Sequence, residues 1–113
     1  MVEPAEYAAW YRTPRGAWIG ATEFALLRRL VDPGARETVL DVGCGTGYFT
    51  TLFARETAGM VVGLDPNLTW LNYAAREAAP NLAWTGGNAE ALPFPERSFD
   101  VVLSVTALCF IKD

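Results

Sequence analysis

Four short apolar runs alternate with stretches of helical periodicity along the chain. Each run is bounded by turn-forming residues, which is typical of strands buried on both faces of a parallel sheet. The runs are TVLDV at 38–42, MVVGLD at 60–65, LAWT at 82–85 and FDVVLSV at 99–105. Because short strands that alternate with helices form right-handed βαβ units, the pattern predicts an α/β fold. We expect a doubly wound parallel sheet with helices on both faces.

The helices are predicted by apolar residues that recur at spacings of three and four, and by prolines and glycines at the helix ends. The predicted helices span residues 4–31 (two helices), 47–58 and 66–79. Pro33 and Gly34 break the second helix, and Gly59 is a suitable stop for the third. Pro66 suits the first turn of the fourth helix, and Pro80 ends it.

Composition and charge exclude several classes of protein. The 113 residues suffice for one domain with a real core, and 51% hydrophobic with 19% charged residues is typical of a globular chain. Nine basic and thirteen acidic residues give a net charge of −4, without a basic stripe for nucleic acid or anionic lipid. No run of about 18 apolar residues occurs. We therefore expect a soluble, cytoplasmic protein without a nucleic-acid or membrane partner.

The two cysteines and the lack of histidine bear on metals and catalysis. Cys44 and Cys109 have no CxxC spacing, and without histidine they cannot complete an ordinary structural zinc site. No Ser-His or Cys-His nucleophile pair can form either. The sequence therefore predicts no metal and disfavours a hydrolase.

The first apolar run leads into a glycine-rich turn, DVGCGTGY at 41–48. Gly43 and Gly45 match the first two glycines of the dinucleotide fingerprint G-x-G-x-x-G, but Tyr48 occupies the third position. Gly47 gives the pattern G-x-G-x-G instead. Asp41 would repel a pyrophosphate but favour a ligand with an ammonium or sulfonium group, and S-adenosylmethionine carries both. A tight turn without a ligand is the alternative.

Polar residues follow the next two strands, at the edge of the sheet where α/β folds bind ligands. Asp65 lies 22 residues after Gly43, where a carboxylate can accept hydrogen bonds from ribose hydroxyls, or can instead cap the next helix. Asn88 and the N–H of Ala89 could bind the edge of an adenine, or form an ordinary polar loop. Leu68 is a candidate for the adenine face or for the core.

Aromatic residues near the start of the chain allow two interpretations. Tyr7, Tyr11 and Trp18 could cover the ligand pocket as a lid. Aromatic packing at the edge of the domain is the favoured interpretation.

Three segments resemble a known family. ETVLDVGCGTGYFT, VVGLDPNLTWLNYAA and GGNAEALPFPERSFDVVLS, in this order and spacing, resemble the class I S-adenosylmethionine-dependent methyltransferases. The likeness is strongest to the type 11 branch, which includes quinone-biosynthesis C-methyltransferases. It covers about residues 37–111. The opening YAAWYRTPRGAWI also resembles the N-terminal helices that often cover the cofactor in that branch.

The resemblance implies a set of residues that bind S-adenosylmethionine. The backbone at the glycine turn would approach the methionine portion, Asp41 its ammonium group, and Asp65 the ribose hydroxyls. Leu68 would lie against adenine, while Asn88, where the family commonly has aspartate, would bind its edge with Ala89. The complete set is Asp41, Gly43, Cys44, Gly45, Asp65, Leu68, Asn88 and Ala89.

The same resemblance sets expectations for the domains. Residues 1–36 would form an N-terminal helical cap, and residues 37–113 a Rossmann-like core with strand order 3-2-1-4. Because the family fold normally continues with further strands, we expect the chain to be part of a longer protein. The apolar fourth strand would then be an exposed edge, and self-association through this edge or through the tail at 106–113 is predicted.

The resemblance favours one function over two alternatives. It implies in-line transfer of a methyl group from S-adenosylmethionine to a small-molecule acceptor, with S-adenosylhomocysteine as product. No catalytic residue is assigned. The alternatives are a non-catalytic module that binds S-adenosylmethionine or a partner protein, and a fragment of an NAD-dependent oxidoreductase.

Overall fold

A computed structural model describes residues 2–31, 36–88, 90–91, 93–95 and 97–104. The helices are α1 Pro4–Trp10, α2 Pro14–Val31, α3 Tyr48–Glu56 and α4 Leu68–Ala74. The strands are β1 Val39–Val42, β2 Val61–Asp65, β3 Leu82–Gly86 and β4 Val101–Leu103. All the strand pairs are parallel, in the order β3-β2-β1-β4. The predicted α/β class and strand order are confirmed.

The sheet register separates two apolar layers. Val39 of β1 pairs with Val61 of β2, and both are fully buried against Phe53 of α3. Complete burial of one such phenylalanine contributes about 3 kcal/mol. On the opposite face, Phe94 and Phe99 pack against the other strand residues. Although a doubly wound sheet predicts helices on both faces, the described helices lie on one face, and these two phenylalanines pack against the other.

The N-terminal helices are attached to the helical layer by aromatic rings. Tyr11 stacks on Tyr48 of α3 with ring centroids 3.9 Å apart, and Tyr7 contacts Trp70 of α4 at 5.1 Å. The packing interpretation of Tyr7 and Tyr11 is therefore correct. Trp18 is 70% exposed and contributes to neither a lid nor the packing. In the described part of the chain, no helix combines the length and apolarity needed to cross a membrane.

Two predicted helices end earlier than expected. The third ends at Glu56, and the fourth ends at Ala74 instead of continuing to residue 79. After α4, the main chain turns through short-range hydrogen bonds, and the indole nitrogen of Trp84 donates to the carbonyl of Glu77 at 3.1 Å. That contact uses a carbonyl in the turn, so a strand residue replaces the helical continuation that the sequence pattern predicted.

The start of α4 also differs from the prediction. Asn67 is the N-cap, and its side-chain oxygen accepts hydrogen bonds from the main-chain nitrogens of Thr69 and Trp70 at 3.1 and 3.3 Å. Pro66 therefore precedes the cap instead of lying in the first turn. Asp65 does not cap the helix, because Asn67 supplies the acceptor that the free N–H groups need.

The fourth strand is shorter than the apolar run that predicted it. The carboxylate of Asp100 accepts hydrogen bonds from the main-chain nitrogen and the hydroxyl of Thr38, at 2.8 and 3.1 Å. This contact joins the segments that precede β4 and β1, and pairing of β4 begins at Val101. The predicted tail at 106–113 lies outside the described residues.

Candidate cofactor site

The glycine turn between β1 and α3 is tied to the neighbouring strand. The main-chain nitrogens of Gly43 and Cys44 both donate to the carbonyl of Leu64, at 2.7 and 3.0 Å. Gly43, Gly45 and Gly47 have φ angles of 76°, 59° and 82°, in the left-handed region. A side chain is strained in that region, so this path of the backbone requires glycine. The turn therefore brings bare backbone to the carboxyl edge of the sheet.

Gly47 is constrained by space as well as by its φ angle. It is the N-cap of α3. A Cβ atom there would collide with the ring of Trp84 and lie 3.3 Å from Cβ of Ala74. The third glycine of the turn thus allows α3 to pack closely against β3 and α4.

Asp65, at the end of β2, is held by two main-chain nitrogens. Oδ2 accepts a hydrogen bond from Gly45 at 2.9 Å, and Oδ1 accepts one from Asn67 at 2.8 Å. The residue is 9% exposed. Each carboxylate oxygen can accept a second hydrogen bond. The arrangement fixes the orientation of the carboxylate beside the glycine turn and leaves acceptor capacity on both oxygens.

Asp41 lies beneath α3, and its carboxylate is only half satisfied. Oδ2 accepts a hydrogen bond of 2.7 Å from the hydroxyl of Thr50, whereas Oδ1 is buried without a partner. Burial, against the opposing effect of Thr50, raises the pKa of Asp41 to about 6, and the charge of Asp65 raises it further. With 2% exposure, Asp41 can act on a ligand above the turn through its charge.

Cys44 lies between these two carboxylates and is buried. Burial raises the pKa of its thiol, and the charges of Asp41 and Asp65 raise it further. The thiol is therefore neutral at physiological pH, which is the form that does not act as a nucleophile. Its contribution to the site is its main-chain nitrogen and its volume.

The predicted adenine contacts are met in part. The amide oxygen of Asn88 accepts hydrogen bonds from the main-chain nitrogens of Glu90 and Ala91, both at 3.0 Å, so it is already used within the loop. Leu68 is 63% exposed and lies close to Gly86 at the end of β3. Ala89 lies outside the described residues. Leu68 and Asn88 thus remain available as a surface beside Asp65, and the amide of Asn88 has less free capacity than predicted.

Comparisons with known proteins agree with this geometry. The family model described as a methyltransferase domain matches residues 39–113, which is more than half of the chain. The chain belongs to this family. An uncharacterized protein of Mycobacterium tuberculosis is 40% identical over 111 residues, which cover 98% of this chain and 36% of that protein. Demethylmenaquinone methyltransferase of Tropheryma whipplei is 42% identical over 76 residues, 66% of this chain and 31% of the enzyme.

A solved structure gives the same result. The S-adenosylmethionine-dependent methyltransferase of Mesorhizobium loti is 28% identical, with a TM-score of 0.64 over 73% of this chain and 38% of its own. The methyltransferase-domain chain described here therefore spans about a third of the length of the curated relatives. The resemblance expected from the sequence is confirmed at the level of family and fold.

Several residues of this methyltransferase-domain site were not predicted. Thr50 donates to Asp41, Asn67 orients Asp65, and the ring of Trp70 lies near Gly45. Asn67 carried a signal, because asparagine two residues after a strand and before an apolar helix is a preferred N-cap. Thr50 and Trp70 looked like ordinary helix positions, and only the packing of α3 and α4 on the turn reveals their contacts.

Proposed function

We propose that this chain is the cofactor-binding part of an S-adenosylmethionine-dependent methyltransferase that acts on a small-molecule acceptor. The observation that carries the proposal is the carboxylate of Asp65, fixed 2.9 Å from the nitrogen of Gly45 at the glycine turn. The carboxylate has free acceptor capacity for ribose hydroxyls next to bare backbone that a methionine portion can approach. Membership of the methyltransferase-domain family supports the same function.

The charge of the site supports a cationic ligand. Asp41 and Asp65 are both buried, and neither forms an ion pair among the described residues. Their field favours an ammonium or sulfonium group over the pyrophosphate of NAD. The partnerless Oδ1 of Asp41 is an unmet requirement that positive charge above the turn would relieve. S-adenosylmethionine therefore fits these residues better than a dinucleotide does.

The mechanism assigns binding and orientation to this chain. When bound, S-adenosylmethionine supplies the methyl group for an in-line displacement. Asp65 would fix the ribose, the turn at 43–45 would fix the methionine portion, and Leu68 would contact adenine. Holding the reactants in near-attack geometry is the main requirement of such a transfer. We assign no catalytic residue, because no described side chain is positioned as a general base for a defined acceptor.

A small-molecule acceptor is supported by charge and by one relative. The net charge of −4 and the presence of one lysine disfavour a polyanionic acceptor. The relative from Tropheryma whipplei is named for a quinone substrate. Because this chain spans about a third of such relatives, we place the acceptor pocket mainly in the remainder of a longer protein.

Titration calorimetry tests the cofactor proposal. S-adenosylhomocysteine and NAD are titrated into the wild-type chain, into Asp65→Ala, and into the control Asp100→Ala, which removes a carboxylate that also accepts a main-chain N–H. We expect S-adenosylhomocysteine to bind the wild type and the control, and to bind Asp65→Ala at least about tenfold more weakly, since one charge-assisted hydrogen bond contributes about 1.5 kcal/mol or more.

The same titrations separate the alternatives. Binding of NAD alone would overturn the proposal in favour of an oxidoreductase fragment. Binding of neither ligand would favour a module that binds only partner proteins. The acceptor class is tested by incubating the longer natural protein with tritium-labelled S-adenosylmethionine and separate small-molecule, RNA and protein fractions. Label in the RNA or protein fraction would contradict a small-molecule acceptor.

A further inference from the structure

A groove of about 480 Å³ lies between α1, α3 and α4, on the helical side of the glycine turn. Its volume is within the range of small-molecule pockets, about 300–1,000 Å³. Three arginines and three tyrosines contribute to its lining: Arg12, Arg55, Arg76, Tyr11, Tyr48 and Tyr73. We propose that this groove is an accessory site for a small aromatic anion, whose phosphate or carboxylate pairs with guanidinium groups while its ring contacts tyrosine.

The charges around the groove oppose those of the chain as a whole. The chain has a net charge of −4, whereas the groove has three arginines and a single acid, Glu77. The one ion pair in the described part of the chain joins Arg28 to Glu56, neither of which lines the groove. None of the three groove arginines is therefore neutralised by a carboxylate at salt-bridge distance within the described residues. Guanidinium groups in this state are suited to phosphate or carboxylate.

The aromatic side of the groove is held in place before any ligand binds. Tyr11 stacks on Tyr48 at a centroid distance of 3.9 Å and an interplanar angle of 13°, which joins α1 to α3. Arg76 lies 4.9 Å above the ring of Tyr73. Burial raises the pKa of Tyr48, so its phenol stays protonated at neutral pH and can donate a hydrogen bond to an anion. Such pre-organisation lowers the cost of binding.

One further polar group in the groove has no partner. Thr51, on the side of α3 that lines the groove, has a buried hydroxyl without a hydrogen bond. A threonine on a helix populates two χ1 rotamers, so a modest rotation can turn this hydroxyl toward a ligand. The orphaned hydroxyl and the uncompensated arginines independently indicate the same type of ligand, one with several acceptor oxygens.

The groove is distinct from the proposed cofactor site. None of the described candidate cofactor residues lines it, and the two sites meet only where Thr46 and Gly47 of the turn reach the groove. Near Asp41 and Asp65 the charge is negative, whereas the groove is positive. The two sites therefore select ligands of opposite charge, and the inference does not depend on the proposed cofactor.

Backbone amide shifts of the chain, titrated with phenyl phosphate, test the proposal. We expect saturable shifts at Thr46, Tyr48, Thr51 and Tyr73, and much weaker binding of neutral phenol and of inorganic phosphate. Arg55→Gln and Arg76→Gln should each weaken phenyl phosphate binding about tenfold, because each removes a charge-assisted hydrogen bond. The control is Arg15→Gln, an exposed arginine of α2 that does not line the groove and should bind like the wild type.

The proposal separates cleanly from other outcomes. Circular dichroism of each variant ensures that a loss of binding is not a loss of fold, and benzoate tests carboxylate against phosphate. Equal affinity for phenol would show that the arginines do not select the ligand, and equal affinity for inorganic phosphate would exclude the aromatic part. Shifts confined to Asp65 and Asn88, equal weakening by Arg15→Gln, or tighter binding of a single-stranded oligonucleotide would each overturn the proposal.

Discussion

The main-chain nitrogen of Gly45 donates a hydrogen bond of 2.9 Å to Oδ2 of Asp65, 20 residues further along the chain. The bond joins the turn after β1 to the end of β2. The other carboxylate oxygen, Oδ1, is held by the main-chain nitrogen of Asn67 at 2.8 Å. The acceptor expected to bind the ribose is therefore oriented by the fold itself, and this orientation reduces the entropy that a ligand must lose on binding.

Asp65→Asn should destabilise the fold without a ligand. One oxygen becomes an amide group that faces a main-chain N–H, so a charge-assisted hydrogen bond is replaced by a repulsive contact, at a cost of about 2 kcal/mol. Urea denaturation measures the change. Asp100→Asn is the control, because its carboxylate also accepts a main-chain N–H but is exposed. Equal losses for the two variants would show that burial near the turn has no effect.

Asp41 should make stability fall as the pH rises. Its pKa is raised from 3.8 to about 6, so the folded state binds the proton more tightly than the unfolded state. The stability that this proton contributes is complete below pH 4 and is lost as the pH rises through about 6. The loss amounts to about 3 kcal/mol.

Asp41→Asn tests this pH dependence. The variant cannot titrate at this position, so its stability relative to the wild type should improve by about 3 kcal/mol between pH 4 and pH 7.5. Chemical denaturation of both proteins across that range gives the difference. A difference that does not change with pH would contradict the raised pKa. Thr50→Val is a useful companion, because it removes the one hydrogen bond that stabilises the ionised form.

Gly47→Ala should be strongly destabilising, whereas Gly86→Ala should be mild. Alanine at position 47 is strained at φ 82° and its Cβ collides with the ring of Trp84, so we expect a loss of about 2 kcal/mol or more. At position 86, the nearest atom is the end of the Leu68 side chain at 3.1 Å, which can move. Thermal denaturation of both variants compares the two sites. A smaller loss for Gly47→Ala would contradict the close packing of α3 against β3.

Tyr11 and Trp18 should differ in their effect on stability although both are large aromatic residues. Tyr11→Ala removes the ring stacked on Tyr48, and we expect a loss of about 2 kcal/mol. Trp18 is 70% exposed, and Trp18→Ala should change the stability by no more than about 0.5 kcal/mol. Urea denaturation measures both. A large effect of Trp18→Ala would indicate that its ring contacts something in solution, such as a second copy of the chain.

Self-association through β4 stays a prediction. Val102 is 58% exposed, and β4 pairs only with β1 among the described strands, so its outer edge presents apolar surface and free main-chain groups. Val102→Lys should reduce the apparent mass in light scattering at high concentration. Leu26→Lys is the control, because it replaces an exposed apolar residue away from the sheet. A wild-type chain that is monomeric at high concentration would contradict the prediction.

The extent to which the sequence predicts this site varies from residue to residue. The glycine pattern and Asp65 identified the correct turn and the correct carboxylate, because both requirements are local: glycine permits left-handed backbone, and the aspartate ends an apolar strand. The sequence could not show that Gly45 donates to Asp65 or that Thr50 donates to Asp41. These bonds depend on the register of β1 with β2 and on the angle at which α3 packs.

The sequence by itself determined the four strands, their order and the ligand chemistry suited to the turn, since apolar runs, helical spacing and glycine positions are short-range signals. Only the tertiary structure decided that α4 ends at Ala74, that Trp18 is exposed, and that a positive groove lies behind the negative turn. The reason is physical: burial and electrostatic fields are sums over residues distant in the chain, and they exist only once the helices have packed on the sheet.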